Sequence, residues 1–218
     1  MWGATDPVGI GLVASLARPG GNVTGLSDDV GPEIIGKRLQ LLKEVAPKVS
    51  KVARLDRVPP SAAVPALTAY ENAYEAAAKA LGLQLGRWRL RGPDDIDKAF
   101  TGILQEDFGA LDVPYVAITW IHRRQIIDLA VRHRLPAIYW HRTYALDGGL
   151  MAYGVDDREV PRRLAVYLDK RILRGAKPAD LPVEQPTKFD LVINVKTAKA
   201  LGITFPQSIL FQTTEAIQ

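Results

Sequence analysis

A doubly wound α/β fold built on a parallel sheet is the class this sequence predicts, and three observations predict it. Between Lys51 and Arg174, segments with the two-residue alternation of strands take turns with segments of three- and four-residue apolar spacing. Glycine and proline fall at the joints of that series, at Gly82, Gly92-Pro93, Pro136, Gly148-Gly149 and Gly175. The 218 residues are 47% hydrophobic and 24% charged, enough apolar surface to offset the ordering entropy of one large domain or two small lobes. Such alternation implies parallel strands joined by right-handed crossovers, with helices on both faces.

In chain order, residues 9–18 (GIGLVASLAR) have helical spacing and stop at Pro19-Gly20-Gly21. Residues 22–26 read as a short extended piece. A helix is predicted over 33–45, where Ile34, Ile35, Leu39, Leu42 and Val45 share a face and Pro47 closes the segment. KVARLDR, residues 51–57, alternates as a strand. An alanine-rich helix over 62–81 ends at Gly82, which suits the left-handed C′ position. Residues 83–90 alternate as a strand through Leu83, Leu85, Trp88 and Leu90. A helix over 93–105 enters through Gly92-Pro93, with Asp94 and Asp95 near the positive end of its dipole. VPYVAIT, 113–119, reads as a buried strand, 123–134 as a helix and PAIYW, 136–140, as a strand. A helical turn over 143–146 leads through Gly148-Gly149 to a strand over 150–155. A helix over 160–173 is stopped by Gly175 and Pro178, and FDLVIN and VKTAKAL supply a last strand and a last helix.

The five strand–helix units make residues 51–177 one complete C-terminal α/β lobe. Residues 178–188 (PADLPVEQPTK) are polar and proline-rich, with the composition of a linker. Residues 1–50 and 178–218 then form a truncated N-terminal lobe, with crossing segments near Pro47 and Pro178. The opening, MWGATDPVG, reads as the loop that follows a strand, without the strand.

Composition excludes several classes. Without cysteine there is no disulfide scaffold and no thiolate metal site. The three histidines, His122, His133 and His141, lack metal-ligand spacing with carboxylates, so no metal is expected. The net charge is +4, and the basic residues are scattered apart from Arg123-Arg124 and Arg162-Arg163, so no nucleic-acid partner is expected. No apolar run approaches the roughly 18–20 residues of a membrane span, and no charged n-region with an apolar stretch opens the chain, so no signal peptide is expected. Neither G-x-S-x-G nor H-E-x-x-H occurs, no catalytic set emerges, and the chain is not expected to be an enzyme.

Three motifs carry possible chemistry. Gly9-x-Gly11-x-x-Ala14 matches the dinucleotide fingerprint, in which glycines let the backbone approach a pyrophosphate at a helix N-terminus. Asp28, Asp29 and Glu33 stand near the distance of a ribose acid. The same residues equally suit a small-residue helix start packed on a sheet. Thr5-Asp6-Pro7 is a helix-capping arrangement that also leaves a carboxylate at the carboxyl end of a strand, where open α/β sheets bind ligands. The third is the set Trp120, His122, Tyr139, Trp140, His141, Arg142 and Tyr144, at the ends of two predicted strands. Aromatic walls with one guanidinium suit a small organic acid or amino acid. Arg142 would face a carboxylate and Trp120 an apolar or aromatic group, while Tyr139, inside its strand, suits packing.

Several stretches together carry a family resemblance: TDPVGIGLVASLARPGGNVTGLS, GKRLQLLKEVAPKVSKVA, HRLPAIY, GGLMAYGVD and RGAKPADLPVEQPTKFDLVINVKTAKALGI. In order and over nearly the whole chain they resemble the bacterial ABC-transporter substrate-binding proteins of the tryptophan/tyrosine type. The resemblance implies a type I periplasmic binding-protein fold, two lobes joined by three crossing strands with solute held between them. It further implies a periplasmic location, no bound cofactor, and delivery of the solute to an ABC permease. On their places at the ends of predicted strands, the residues expected to bind such a solute are Thr5, Asp6, Asp56, Trp120, His141 and Arg142. Two departures stand out. The family carries further strand–helix units ahead of DPVG, so this chain reads as lacking the N-terminal part. Leu55-Asp56-Arg57-Val58-Pro59 replaces an Asn-Pro type loop, and ITWIHRRQ replaces a more apolar or Asp-containing turn. A truncated paralogue without a competent pocket and an NAD-binding enzyme stay open as alternatives. Uncovered apolar faces on the helices of the truncated lobe, such as Ile34, Leu39 and Leu42, lead to the expectation of a homodimer.

Overall fold

The computed structural model describes residues 7–27, 30–31, 33–57, 64–114, 116–156, 158 and 160–218. Its strands are β1 (Lys51–Arg57), β2 (Gln84–Leu90), β3 (Ala110–Val113), β4 (Ala137–Tyr139), β5 (Met151–Val155), β6 (Phe189–Asn194) and β7 (Glu215–Ile217). Its α-helices are α1 (Glu33–Val45), α2 (Val64–Ala80), α3 (Asp94–Gln105), α4 (Ala117–Ile121), α5 (Arg123–Arg132), α6 (Arg142–Leu146), α7 (Val160–Tyr167), α8 (Val195–Leu201) and α9 (Gln207–Gln212). The strands form one sheet in the order β2-β1-β3-β4-β5-β6-β7. β1 to β5 pair in parallel, as the alternation predicts. β6 runs against them. The N–H of its last residue, Asn194, donates to Leu150 O beside the start of β5, and its second residue, Asp190, lies 3.9 Å from Arg142 beyond the end of β4.

The chain divides into two compact units. The larger holds residues 32–60, 71–154 and 190–218, and the smaller holds 1–31, 61–70 and 155–189. This differs from the expected partition at both ends. α1 belongs with the sheet rather than with a separate truncated lobe, and residues 190–218 add β6 and β7 to it. The reason lies in α1 itself. Ile34, Ile35, Leu39, Leu41, Leu42 and Val45 are all buried within this chain, and each such side chain contributes about 1.5–3 kcal/mol when taken from water. The apolar faces that motivated a homodimer are therefore already covered, and that expectation loses its premise.

Strand alternation sorts the core. Ala53, Leu55, Leu111, Val113, Ala137 and Tyr139 pack with Ile96, Phe100 and Ile103 of α3 and Ile126, Ile127 and Ala130 of α5. Asp112 points the other way, between α1 and α2. There the Arg38 guanidinium, fully buried like its partner, is paired with Asp112 Oδ1, and Tyr74 Oη donates to Asp112 Oδ2 at 2.7 Å. Arg38 Nη1 also donates to Tyr139 O and Tyr153 O, both at 2.8 Å, and Nη2 to Ile138 O at 3.3 Å. One side chain thus ties α1 to β3, β4 and β5.

Local departures from the predicted elements have local causes. Residues 7–12 form successive turns instead of a helix: Gly11 N–H donates to Val8 O, both Leu12 and Val13 N–H donate to Pro7 O, and Gly11 has φ +71°. The strand expected over 113–119 lies earlier, over Ala110–Val113, and ends there because Pro114 has no N–H for the ladder. Its carbonyl instead accepts the Thr119 hydroxyl at 2.6 Å, and the chain turns into α4. The helix expected over 160–173 is α-helical to Tyr167 and then a wider π-turn over Leu168–Ile172. α9 and β7 were not anticipated. Gly154 is required by close approach, since a Cβ there would fall 1.8 Å from Trp140 O.

In the smaller unit the presumed linker is structured. Val183 N–H donates to Leu16 O at 2.7 Å, Ser27 N–H to Glu184 O at 2.9 Å, and Glu184 N–H to Gly25 O at 2.9 Å. Thr24 Oγ1 donates to Leu181 O, and Tyr167 Oη, 2.6 Å from Thr24 Oγ1, donates to Pro182 O. The ARPGGNVTG and ADLPVEQP stretches, more than 140 residues apart, are therefore hydrogen-bonding partners.

Removing one member of the buried ion pair leaves an uncompensated charge. Asp112→Ala is expected to lower stability by about 3–5 kcal/mol in urea unfolding. The double replacement Arg38→Met with Asp112→Leu is expected to cost less than Asp112→Ala alone.

Candidate functional site

In a sheet of this kind the loops that leave the carboxyl ends of parallel strands are where side chains converge. The loop after β3 carries Trp120 on α4, and the loop after β4 carries Trp140, His141 and Arg142. Trp120 meets His141 edge to face at 5.1 Å between ring centroids and Tyr144 at 5.9 Å. Tyr144 is buried, stacks on Tyr139 at 4.9 Å, and its hydroxyl donates to Thr119 Oγ1 at 3.2 Å. Trp120 itself is half-buried. The Arg123 guanidinium lies 4.6 Å from its ring centroid and is held there by Asp147 at 2.6 Å. The result is an aromatic patch with one cation behind it, in which quadrupoles are arranged edge to face.

His141 also has a local duty. It occupies the N-cap of α6, where its Nδ1 accepts the Thr143 N–H at 3.2 Å. Accepting at Nδ1 places the ring proton on Nε2 in the neutral imidazole. Tyr139, expected to be a packing residue, is fully buried. His122, the C-cap of α4, lies in the same loop region.

Arg142 does not stand open to a carboxylate. Its Nη2 is paired with Glu215 of β7, and its Nε lies 3.9 Å from Asp190 of β6. Both acids come from the part of the chain that was not expected in this sheet, so the sequence held no local signal for the pairing. Asp56, near the end of β1, is paired with Arg54 Nη2 at 2.9 Å and accepts the Arg57 N–H at 2.8 Å. Arg54 lies 3.9 Å over the Tyr74 ring. β1 is the neighbour of β3, whose following loop carries Trp120 on α4. Thr5 and Asp6 lie outside the described residues, as do Asp28 and Asp29. The helix start that the Gly9-x-Gly11-x-x-Ala14 reading requires is replaced by turns, which removes the mechanism of dinucleotide binding. Among the described residues no His, Asp and Glu cluster could hold a metal ion, and no helix is long and apolar enough to cross a membrane.

Electrostatics at the floor of these loops are set by burial. Desolvation first, and the Asp112 charge second, push the Tyr74 phenol well above its ordinary 10.0. Desolvation, then Tyr144 and Asp128, do the same for Tyr139. A phenol whose folded pKa is raised contributes stability that is whole below its unfolded pKa of about 10 and declines as pH rises above it. In an absorbance titration Tyr74 and Tyr139, two of the seven tyrosines, are expected to stay silent until the chain unfolds in alkali. Tyr74→Phe is expected to make the loss of stability above pH 10 shallower.

The chain is similar to known proteins over most of its length. A family model described as ABC transporter substrate binding protein matches residues 1–217. The tyrosine-binding protein of Clostridioides difficile is 29% identical over 211 residues, covering 93% of this chain and 56% of the relative. The chain therefore spans a little over half the length of that curated relative. The crystal structure of an ABC domain from Streptococcus pneumonia in complex with L-Trp superposes with a TM-score of 0.82 at 27% identity, over 99% of this chain and 72% of that one. A conserved domain protein of Vibrio cholerae superposes with a TM-score of 0.83 at 28% identity, over 97% and 69% of the respective chains. None of these matches supports the NAD-linked reading, whereas the α/β fold, the order of the motifs and the matched length all point one way: the chain belongs to the ABC transporter substrate binding protein family.

Proposed function

We propose that this protein is the solute-binding component of an ABC-type importer, working on the periplasmic side with a permease as its partner, and that its solute is an aromatic amino acid or a close aromatic acid. The observation that carries this reading is the half-buried Trp120 with His141 and Tyr144 edge to face around it, at the carboxyl ends of β3 and β4. A planar ring is the partner such a patch accommodates best. The names of two relatives support the class, one a tyrosine-binding protein and one crystallised with L-Trp. Thr5, Asp6 and Asp56 remain proposed polar contacts. Arg142 serves the solute differently from the simple expectation: a solute carboxylate reaches it only by displacing Glu215. The chain binds its solute and releases it unchanged.

Isothermal titration tests this. L-tryptophan and L-tyrosine are expected to bind and to be recovered unaltered, and NADH is expected not to bind. Trp120→Ala is expected to weaken the better solute at least tenfold, about 1.4 kcal/mol, with Trp120→Phe intermediate. Equal affinity in all three proteins, or binding of NADH alone, would overturn the reading.

A further inference from the structure

We infer that Asp56 receives the ammonium group of the solute and that Arg54 is the positioning residue that holds Asp56 for it, so that the protein takes aromatic α-amino acids in preference to aromatic acids. The inference rests on the aromatic-solute reading above and narrows it.

Arg54 is an arginine that packing alone does not account for. It is nine-tenths buried, at 9% exposure, and its Nε and Nη1 find no hydrogen-bond partner. Register places it opposite Asp112 of β3 and Arg87 of β2. Asp112 is taken by Arg38 and Tyr74, and Arg87 by Glu71 and Glu75. The Arg54 guanidinium lies 3.9 Å from the Tyr74 ring centroid, where the π face offsets part of its charge. An apolar side chain in this place would avoid the penalty of two buried, unpaired donors. The polar contact that the Arg54 side chain does make is from Nη2 to Asp56 Oδ2, at 2.9 Å.

Asp56 is thereby fixed at both oxygens, since its Oδ1 accepts the Arg57 N–H at 2.8 Å. Its side chain keeps 21% exposure, and an ionised carboxylate has about four lone-pair sites, so acceptors remain for a donor that arrives from solvent. Arg54 is level with Asp112, and β3 ends one residue later, at Val113. Asp56 therefore projects past the end of β3, where β1 has no ladder partner on that side and the chain turns through Pro114 into α4. α4, with Trp120 on it, packs against β1. Adjacent strands are about 4.8 Å apart, a step that the backbone of an amino acid spans while its ring rests on the aromatic patch. An ammonium supplies the donors this carboxylate lacks, and a carboxylate oriented in advance is not ordered at the expense of binding.

The test compares L-tryptophan with indole-3-propionate, the same molecule without its amino group, by isothermal titration of the full chain. The unmutated protein is expected to prefer L-tryptophan at least tenfold. Asp56→Asn is expected to bring that ratio close to one. Arg54→Met, which fills the space without the unpaired donors, is expected to lower the ratio about threefold. Arg54→Met together with Asp56→Asn is expected to match Asp56→Asn alone, as for a residue that acts through another. The double variant also leaves no uncompensated buried charge, so it carries the test if Asp56→Asn alone fails to fold. Equal binding of the two compounds by the unmutated protein, or a ratio that survives in Asp56→Asn or in the double variant, overturns the inference and leaves the aromatic reading standing. A ratio unchanged in Arg54→Met overturns the role of Arg54. Binding of neither compound overturns the aromatic reading itself, and this inference with it.

Discussion

The pairing of Arg38 with Asp112 is the constraint on which the larger unit depends. Both groups are fully withdrawn from water, and an ion leaving water costs several kcal/mol even after relaxation. That cost is offset only because nearly every polar atom finds a partner. Asp112 takes Arg38 on one oxygen and Tyr74 on the other, and Arg38 reaches the carbonyls of Ile138, Tyr139 and Tyr153. Those carbonyls lie at or near the carboxyl ends of β4 and β5. The pair therefore locks α1 to the edge of the sheet from which Trp120, His141 and Arg142 emerge. A structural ion pair and the geometry of the candidate site are the same piece of engineering.

A second dependence lies in the smaller unit. The two motif blocks that carry most of the family likeness, one near the start of the chain and one near its end, bond to each other through Leu16, Gly25, Ser27, Val183 and Glu184. Their turns and prolines read as loops because neither block can form a regular element alone. Each supplies the backbone groups that the other lacks, which keeps buried N–H and C=O groups paired. Arg163 and Arg171 then converge on Glu184 at 2.8 and 3.7 Å, closing the charge at the same junction.

The candidate site shows how charge is redistributed by packing. A guanidinium beside aromatic rings suggests a carboxylate ligand when read from residues alone. In the fold, Arg142 is occupied by Glu215 and approached by Asp190, so the neighbourhood is close to neutral or negative. Position in the sheet explains this, because Arg142 lies where β6 and β7 deliver acids.

By itself the sequence determined the parallel α/β class, the strands β1, β2, β4 and β5, and the aromatic residues beyond β3 and β4, whereas the third strand was expected over 113–119, where only Val113 belongs to β3 and Ala117–Ile121 form α4. These are local properties: periodicity, glycine and proline punctuation, and the rule that side chains converge beyond the carboxyl ends of parallel strands. α1 was legible as a helix from Ile34, Leu39 and Leu42, but not as a layer of this sheet, because its placement rests on Arg38 meeting a carboxylate 74 residues away. The turn at residues 7–12 defeated its helical spacing because Gly11 takes a positive φ that pattern counting does not register. Only the tertiary structure decided that β6 enters in the opposite sense, that β7 follows it, and that Arg142 is neutralised there. Those outcomes depend on contacts between residues distant in the chain, and such contacts leave no period in the sequence.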